Sequence, residues 1–163
     1  MLCPFFCLKS ISVASVVGIF EDTISKIAIL AVFMPIVAGM GGNAATQSLA
    51  VVVRGLALDE ISWEEARQII GKESIAGIIN GLITGVICGI VAYIFGASPM
   101  LGLVLCISMI VNLFVAGLFG ALVPFILKSM KIDPAVSSSI FVTTATDVIG
   151  FFVFLGLGTL LLL

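Results

Sequence analysis

The sequence predicts an all-α membrane protein, a bundle of about five transmembrane helices, on three observations. Apolar residues make up 61% of the 163 positions and charged residues 10%, where an average soluble domain has about 45–50% and 25%. Residues 75–95 and 100–127 are apolar runs without a charge, and a bilayer span takes roughly 20 such residues. These runs are too long for barrel strands, and a backbone exposed to lipid must satisfy its own hydrogen bonds, which leaves helices. Residues 1–163 read as a single transmembrane domain.

The first helix, residues 3–20, is the weakest: Lys9 interrupts it, and the uninterrupted part, 11–20, is too short to cross alone. Glu21 and Asp22 follow where a cleaved signal would carry small residues, so a short first span is expected instead of a signal peptide. As one straight rod, the second helix, residues 24–58, would be roughly 50 Å long against a hydrocarbon layer of roughly 30 Å. It must therefore tilt, start outside the core or bend, and Pro35 and the cluster Gly39, Gly41 and Gly42 are the natural places for a bend. Residues 59–73 carry Asp59, Glu60, Glu64, Glu65, Arg67, Lys72 and Glu73 and read as a polar connector. Within it, Ser62 and Glu65 have the spacing of a capping box for a short amphipathic helix.

The third helix, 75–95, and the fourth, 100–127, meet at a tight uncharged turn around Ser98 and Pro99. Lys128, Lys131 and Asp133 mark the return to water, and the fifth helix, 134–163, opens with Pro134 in its first turn. Arg54, Arg67, Lys72, Lys128 and Lys131 sort to one side and Lys26 to the other. The positive-inside rule then puts both polar connectors and the N-terminus in the cytoplasm and the C-terminus outside, for a multi-pass protein of the cell membrane.

Several function classes fall away. A net charge of −2 with no basic tract gives no nucleic-acid surface. The chain has no histidine, which removes Ser–His and Cys–His catalysis and leaves Cys3 and Cys7 without partners for a zinc site. Cys88 and Cys106 fall inside spans, where a thiol behaves as a small apolar group. Neither a nucleophile elbow nor a phosphate-cradling loop occurs, so an enzyme is not expected.

The polar residues inside the spans carry the functional information. Gly77, Gly81, Gly85 and Gly89 recur every fourth residue and form a small-residue ridge, for helix packing within one subunit or between subunits. Asn80, Thr84 and Asn112 lie near that layer as interhelical hydrogen-bonding groups or ligands. Asp147 is an acid close to the middle of the fifth helix, and a carboxylate there costs at least about 2.5–3.5 kcal/mol. No Lys or Arg in the third to fifth helices offers to neutralise it, so water, a bound cation or a proton must compensate.

Ser139, Thr143, Thr146, Asp147 and Gly150 fall within an arc of about 100° on that helix. Such a hydroxyl stripe ending in an acid suits a hard cation and its water shell; the plainer alternative is hydroxyls bonded back to their own helix beside a protonated acid. On the second helix, Gly41, Gly42, Asn43 and Gln47 allow irregular backbone and present amide oxygens on one face, as pore lining or as packing contacts. One Asp147 balances half the charge of a divalent ion, and a two-fold homodimer would supply two.

At these residues the sequence resembles the MgtE family of magnesium transporters and channels. The motifs are Met34-Pro35-Ile36-Val37-Ala38-Gly39-Met40-Gly41-Gly42-Asn43 with Gln47, then Val53-Arg54-Gly55-Leu56-Ala57, Asp133-Pro134-Ala135, and Phe141-Val142-Thr143-Thr144-Ala145-Thr146-Asp147-Val148-Ile149-Gly150. The resemblance implies a five-helix homodimer whose pore is lined by the second and fifth helices. Asp147 would recognise hydrated Mg²⁺, Asn43 and Gln47 would shape the site, and Ser139 and Thr143 would line the inner pore. Ala45 departs from the family's usual glycine, and Met1–Ser10 is unlike a full first helix. The family's cytoplasmic N domain, CBS pair and plug helix have no counterpart in the 163 residues, so gating by that route is not expected. Oxygen ligands also admit Mn²⁺, Co²⁺ or Ca²⁺. The rival readings are a proton- or sodium-coupled secondary transporter and a non-transporting membrane subunit that works with a separate cytoplasmic regulatory protein.

Overall fold

Helices alone make up the regular structure among the described residues, as a backbone in lipid demands. The computed structural model describes residues 3–61 and 65–163, and side chains from residue 6 onward except 134–137. In chain order the elements are α1 (Cys3–Ile19), α2 (Glu21–Lys26), α3 (Ile29–Ala57), α4 (Ala66–Ile94), α5 (Pro99–Ser129) and α6 (Pro134–Leu162). Four of them, α3, α4, α5 and the Ser138–Leu162 part of α6, are long and apolar enough to cross a membrane. The chain is thus a multi-pass helical membrane protein. At 17 residues, α1 measures about 25 Å and falls short of a full span.

Two boundaries differ from the sequence reading. The segment 24–58 is not one helix. It breaks at Ile27, whose backbone is not helical (φ −128°, ψ 69°), and α3 then runs unbroken through Pro35 and the glycine cluster. The cause lies in α2, a polar turn with Glu21 and Asp22 at its start and Lys26 at its end, an arrangement matched to the helix dipole. Its buried Thr23 shares a hydroxyl–hydroxyl hydrogen bond of 2.8 Å with Thr159 near the end of α6, so the chain turns there before it enters the bundle. Second, 66–73 of the expected connector belongs to α4, because no residue between Arg67 and Ile75 stops the helix. The capping box anticipated at Ser62 and Glu65 involves a residue outside the described ones; Glu65 itself precedes α4 without a side-chain cap.

The remaining ends follow local chemistry. Ser98 accepts a hydrogen bond from Leu101 N at 3.3 Å, and Pro99 occupies the first turn of α5. The C-terminal ends of α3, α4 and α5 share one closure, in which a left-handed residue (Asp59, Gly96 or Lys131) is followed by a backbone bond that reaches back five residues: Glu60 to Gly55, Ala97 to Ala92, Ile132 to Leu127.

Close contacts set the helix directions. Gly77 lies on Leu113, Gly81 on Ile110, Gly85 on Cys106 and Gly89 on Gly102, so α4 runs antiparallel to α5. Gly41 and Gly150 both face Asn112, and Gly158 faces Leu30, which sets α3 antiparallel to α6. Lys9 meets Thr143, and Thr23 meets Thr159, so the chain through α1 and α2 runs parallel to α6. The 58–65 and 130–133 connectors therefore share one end, where Lys128 Nζ donates to Leu56 O at 3.2 Å and lies 4.0 Å from Asp59. The central helix is α5, which buries Leu101, Val104, Leu105, Met109 and Leu113 against α3 and α6. By contrast α4 sits outside, with Ile78, Ile79, Leu82, Val86 and Ile90 exposed on its outer face.

Candidate functional site

Asp147 is not left without a cation. Lys9 Nζ lies 3.0 Å from Asp147 Oδ2 and donates to Thr143 Oγ1 at 3.0 Å. The sequence reading sought a positive charge in the third to fifth helices and so missed this partner on α1. One signal was available, since Lys9 sits among apolar residues and a charge there is itself costly unless paired. The side chains of Lys9 and Asp147 keep 25% and 16% of their surface exposed, so the pair is not sealed inside the core of the chain.

Beside it opens a cleft of about 680 Å³ between α1, α2 and α6. Lys9, Ser10, Ser25, Glu21 and Asp147 supply its polar wall, and Val13, Val17 and Ile24 its apolar wall. Six waters at roughly 30 Å³ each occupy roughly 180 Å³, so the cleft has room for a fully hydrated ion. Glu21 and Lys9 are twelve positions apart, about 18 Å along a helix, so the cleft leads from the α1–α2 corner to mid-span.

Of the stripe, only Asp147 lines this cleft. Thr143 Oγ1 accepts the hydrogen bond from Lys9 Nζ and donates to Ser139 O at 2.9 Å. Ser139 is exposed. Thr146, expected beside the ion, is fully buried and donates to Thr143 O at 3.0 Å; with Thr144 donating to Ile140 O at 2.6 Å, part of the stripe is back-bonded in the manner of the plainer alternative.

Asn43 and Gln47 lie elsewhere. They are exposed on α3 and line a cleft of about 360 Å³ with Met40, Asn80, Thr84 and Leu113. The pairing of Gly41 with Gly150 through Asn112 puts Asn43 at about the depth of Asp147, but within one chain the two look into different clefts. Between those clefts stands Asn112, fully buried, with Nδ2 donating to Val37 O at 2.7 Å and its amide wedged against Gly41 and Gly150. Gly42 meets open space. The ridge of Gly77, Gly81, Gly85 and Gly89 packs on the α5 backbone of the same chain.

Most of this chain is similar to known proteins. A family model described as a divalent cation transporter, MgtE, matches residues 34–157. The chain belongs to the MgtE family. Three proteins named "Magnesium transporter MgtE" are similar to it. The one from Bacillus subtilis is 35% identical over 145 residues, which is 89% of this chain and 32% of that protein. The one from Enterococcus faecalis is 34% identical over 149 residues, 91% of this chain and 33% of that protein. The one from Thermus thermophilus is 32% identical over 155 residues, 95% and 34% respectively. The chain thus spans about a third of the length of the curated MgtE relatives it matches. MgtE is a family of transporters, in line with the expectation that the chain is not an enzyme. Asn43, Gln47, Ser139, Thr143, Thr146 and Asp147 all fall within the residues that the MgtE model matches, whereas Lys9 falls outside them.

Proposed function

We propose that this chain forms a channel-like path for Mg²⁺ across the membrane, in which Asp147 attracts and orients the hydrated ion. One observation carries the reading: a carboxylate at mid-span, partly exposed, at the inner end of a cleft large enough for an ion with its water shell. One carboxylate and the Thr143 hydroxyl are too few oxygens to replace the six waters of Mg²⁺, so the ion passes hydrated. Membership of the MgtE family and the names of its relatives point to the same cargo.

In the finer reading, two copies related by a two-fold axis enclose the path between α3 and α6. Two Asp147 carboxylates then balance the charge of one divalent ion. Asn43 and Gln47, amides exposed at about the depth of Asp147, need a polar or aqueous partner there, and a second copy or the lumen supplies it. The connectors with Lys128 and Lys131 face the cytoplasm by the positive-inside rule, together with the N-terminus, and the C-terminus lies outside. A separate cytoplasmic protein is the natural place for regulation.

The deciding experiment is uptake of Mg²⁺ into liposomes that contain the purified chain. Asp147→Ala is expected to reduce uptake to the level of empty liposomes; wild-type uptake in that variant would remove Asp147 from the mechanism. Uptake that requires a pH or sodium gradient would move the reading to coupled transport. Parallel runs with Mn²⁺, Co²⁺ and Ca²⁺ define selectivity.

A further inference from the structure

We propose that Lys9 is a tethered cation that holds the ion's place at Asp147 and sets the affinity of the path, so that a divalent ion binds only where the Lys9 ammonium is displaced. The inference rests on Asp147 as the ion's recognition group.

Geometry supports it first. The ammonium touches the two oxygens that the path offers to an ion's water shell, Asp147 Oδ2 at 3.0 Å and Thr143 Oγ1 at 3.0 Å. An ammonium that donates to a carboxylate and a hydroxyl makes the contacts that a metal-bound water would make. The charges of Lys9 and Asp147 sum to zero, so an arriving ion meets no net attraction at mid-span while the pair is closed. Glu21, at the far end of the same cleft, then provides the negative charge that draws a cation in.

Lys9 is also free to leave. Its side chain is 25% exposed and borders an open cleft, so an ion that enters can solvate and replace the ammonium without repacking the core. Among the described side chains of α1 only Val16 is buried, while Phe6, Leu8, Ile11 and Ile19 face outward. A lysine at the depth of Asp147 is expensive in a span, and as a simple α1–α6 staple it would need no cleft beside it.

The test is the half-saturating Mg²⁺ concentration for liposome uptake, since a staple would change stability and maximal rate but not this value. A divalent ion and a unit charge about 6 Å apart in water-like surroundings repel enough to change occupancy about tenfold. Lys9→Gln is therefore expected to lower half-saturation about tenfold, and Lys9→Arg to keep the weaker binding. Lys9→Cys covers the case in which Lys9→Gln does not fold. Its adduct with an ammonium-bearing methanethiosulfonate is expected to half-saturate about tenfold higher than its neutral methyl adduct, with the wild type as control for the four native cysteines.

Equal half-saturation in Lys9→Gln, Lys9→Arg and both adducts would overturn the proposal and leave Lys9 as a staple. So would uptake that survives only in variants with a charge at position 9. Asp147→Asn separates the two levels of inference: if it abolishes uptake while the Lys9 variants leave half-saturation unmoved, only the Lys9 proposal fails. Full uptake in Asp147→Asn removes the recognition group, and this proposal with it.

Discussion

Along α4, Gly77, Gly81, Gly85 and Gly89 lie so close to α5 that a side chain at most of them would collide with backbone: a Cβ at Gly81 would sit 2.6 Å from Ile110 Cα and 2.8 Å from Met109 O. Along α1, the only buried residue among the described side chains is Val16, and the polar tie to α6 is the tip of Lys9 on Asp147 and Thr143. Just beyond, Phe20 adds an edge-to-face contact with Phe152, with ring centres 5.7 Å apart. The contrast shows how rigidity is distributed where lipid removes the hydrophobic drive between helices. Backbone held against backbone cannot shift without losing many contacts at once, whereas a seam closed by side-chain tips can open one tip at a time. The ion site proposed here lies on the second kind of seam.

Three substitutions probe this contrast, beyond those at Asp147 and Lys9. The largest effect is expected for Gly81→Val, which drives a branched side chain into the α5 backbone and should cost about 3 kcal/mol of stability. Thermal unfolding in detergent measures it, and a wild-type midpoint would show that α4 and α5 slide freely. Asn112→Ala comes next. It removes the bond to Val37 O and the wedge between Gly41 and Gly150, and a loss of about 1–2 kcal/mol is expected in the same assay. A double variant with Gly150→Ala should then be less damaged than the sum of the two, because the new methyl group fills the vacated space; strict additivity would argue against the wedge. Val16→Ala should matter least, about 1 kcal/mol, since it removes two methyl groups at the edge of the core and leaves every backbone contact in place. A cost equal to that of Gly81→Val would erase the distinction between the seams.

Much of the fold was legible because it is locally encoded. Residues 75–95 and 100–127 announce spans by length and apolarity alone, and Ser98 with Pro99 announces the start of α5 through a cap that needs only neighbouring atoms. The glycine ridge was legible as a packing face, though not its target. The break at Ile27 was not legible, because it depends on Thr23 meeting Thr159 from the other end of the chain. Pro35 looked the better place for an interruption, yet one missing N–H does not end the helix, which continues through it. The hydroxyl stripe illustrates a subtler limit: spacing puts Thr143 and Thr146 on one arc, but the packing buries Thr146 and leaves Thr143 at the ion pair.

By itself the sequence determined that this is a helical membrane protein, where its long spans lie, and that an acid at position 147 must find compensation in a medium hostile to charge. The tertiary structure decided what faces it: a lysine 138 positions earlier (147 − 9), and a cleft that both groups line. It also decided that Asn43 and Gln47 look away from Asp147 within one chain. The physical reason is common to all three. Helix formation depends on neighbours along the chain, but the partner of a buried charge depends on which helix faces which, and that is set by packing contacts between residues far apart in sequence.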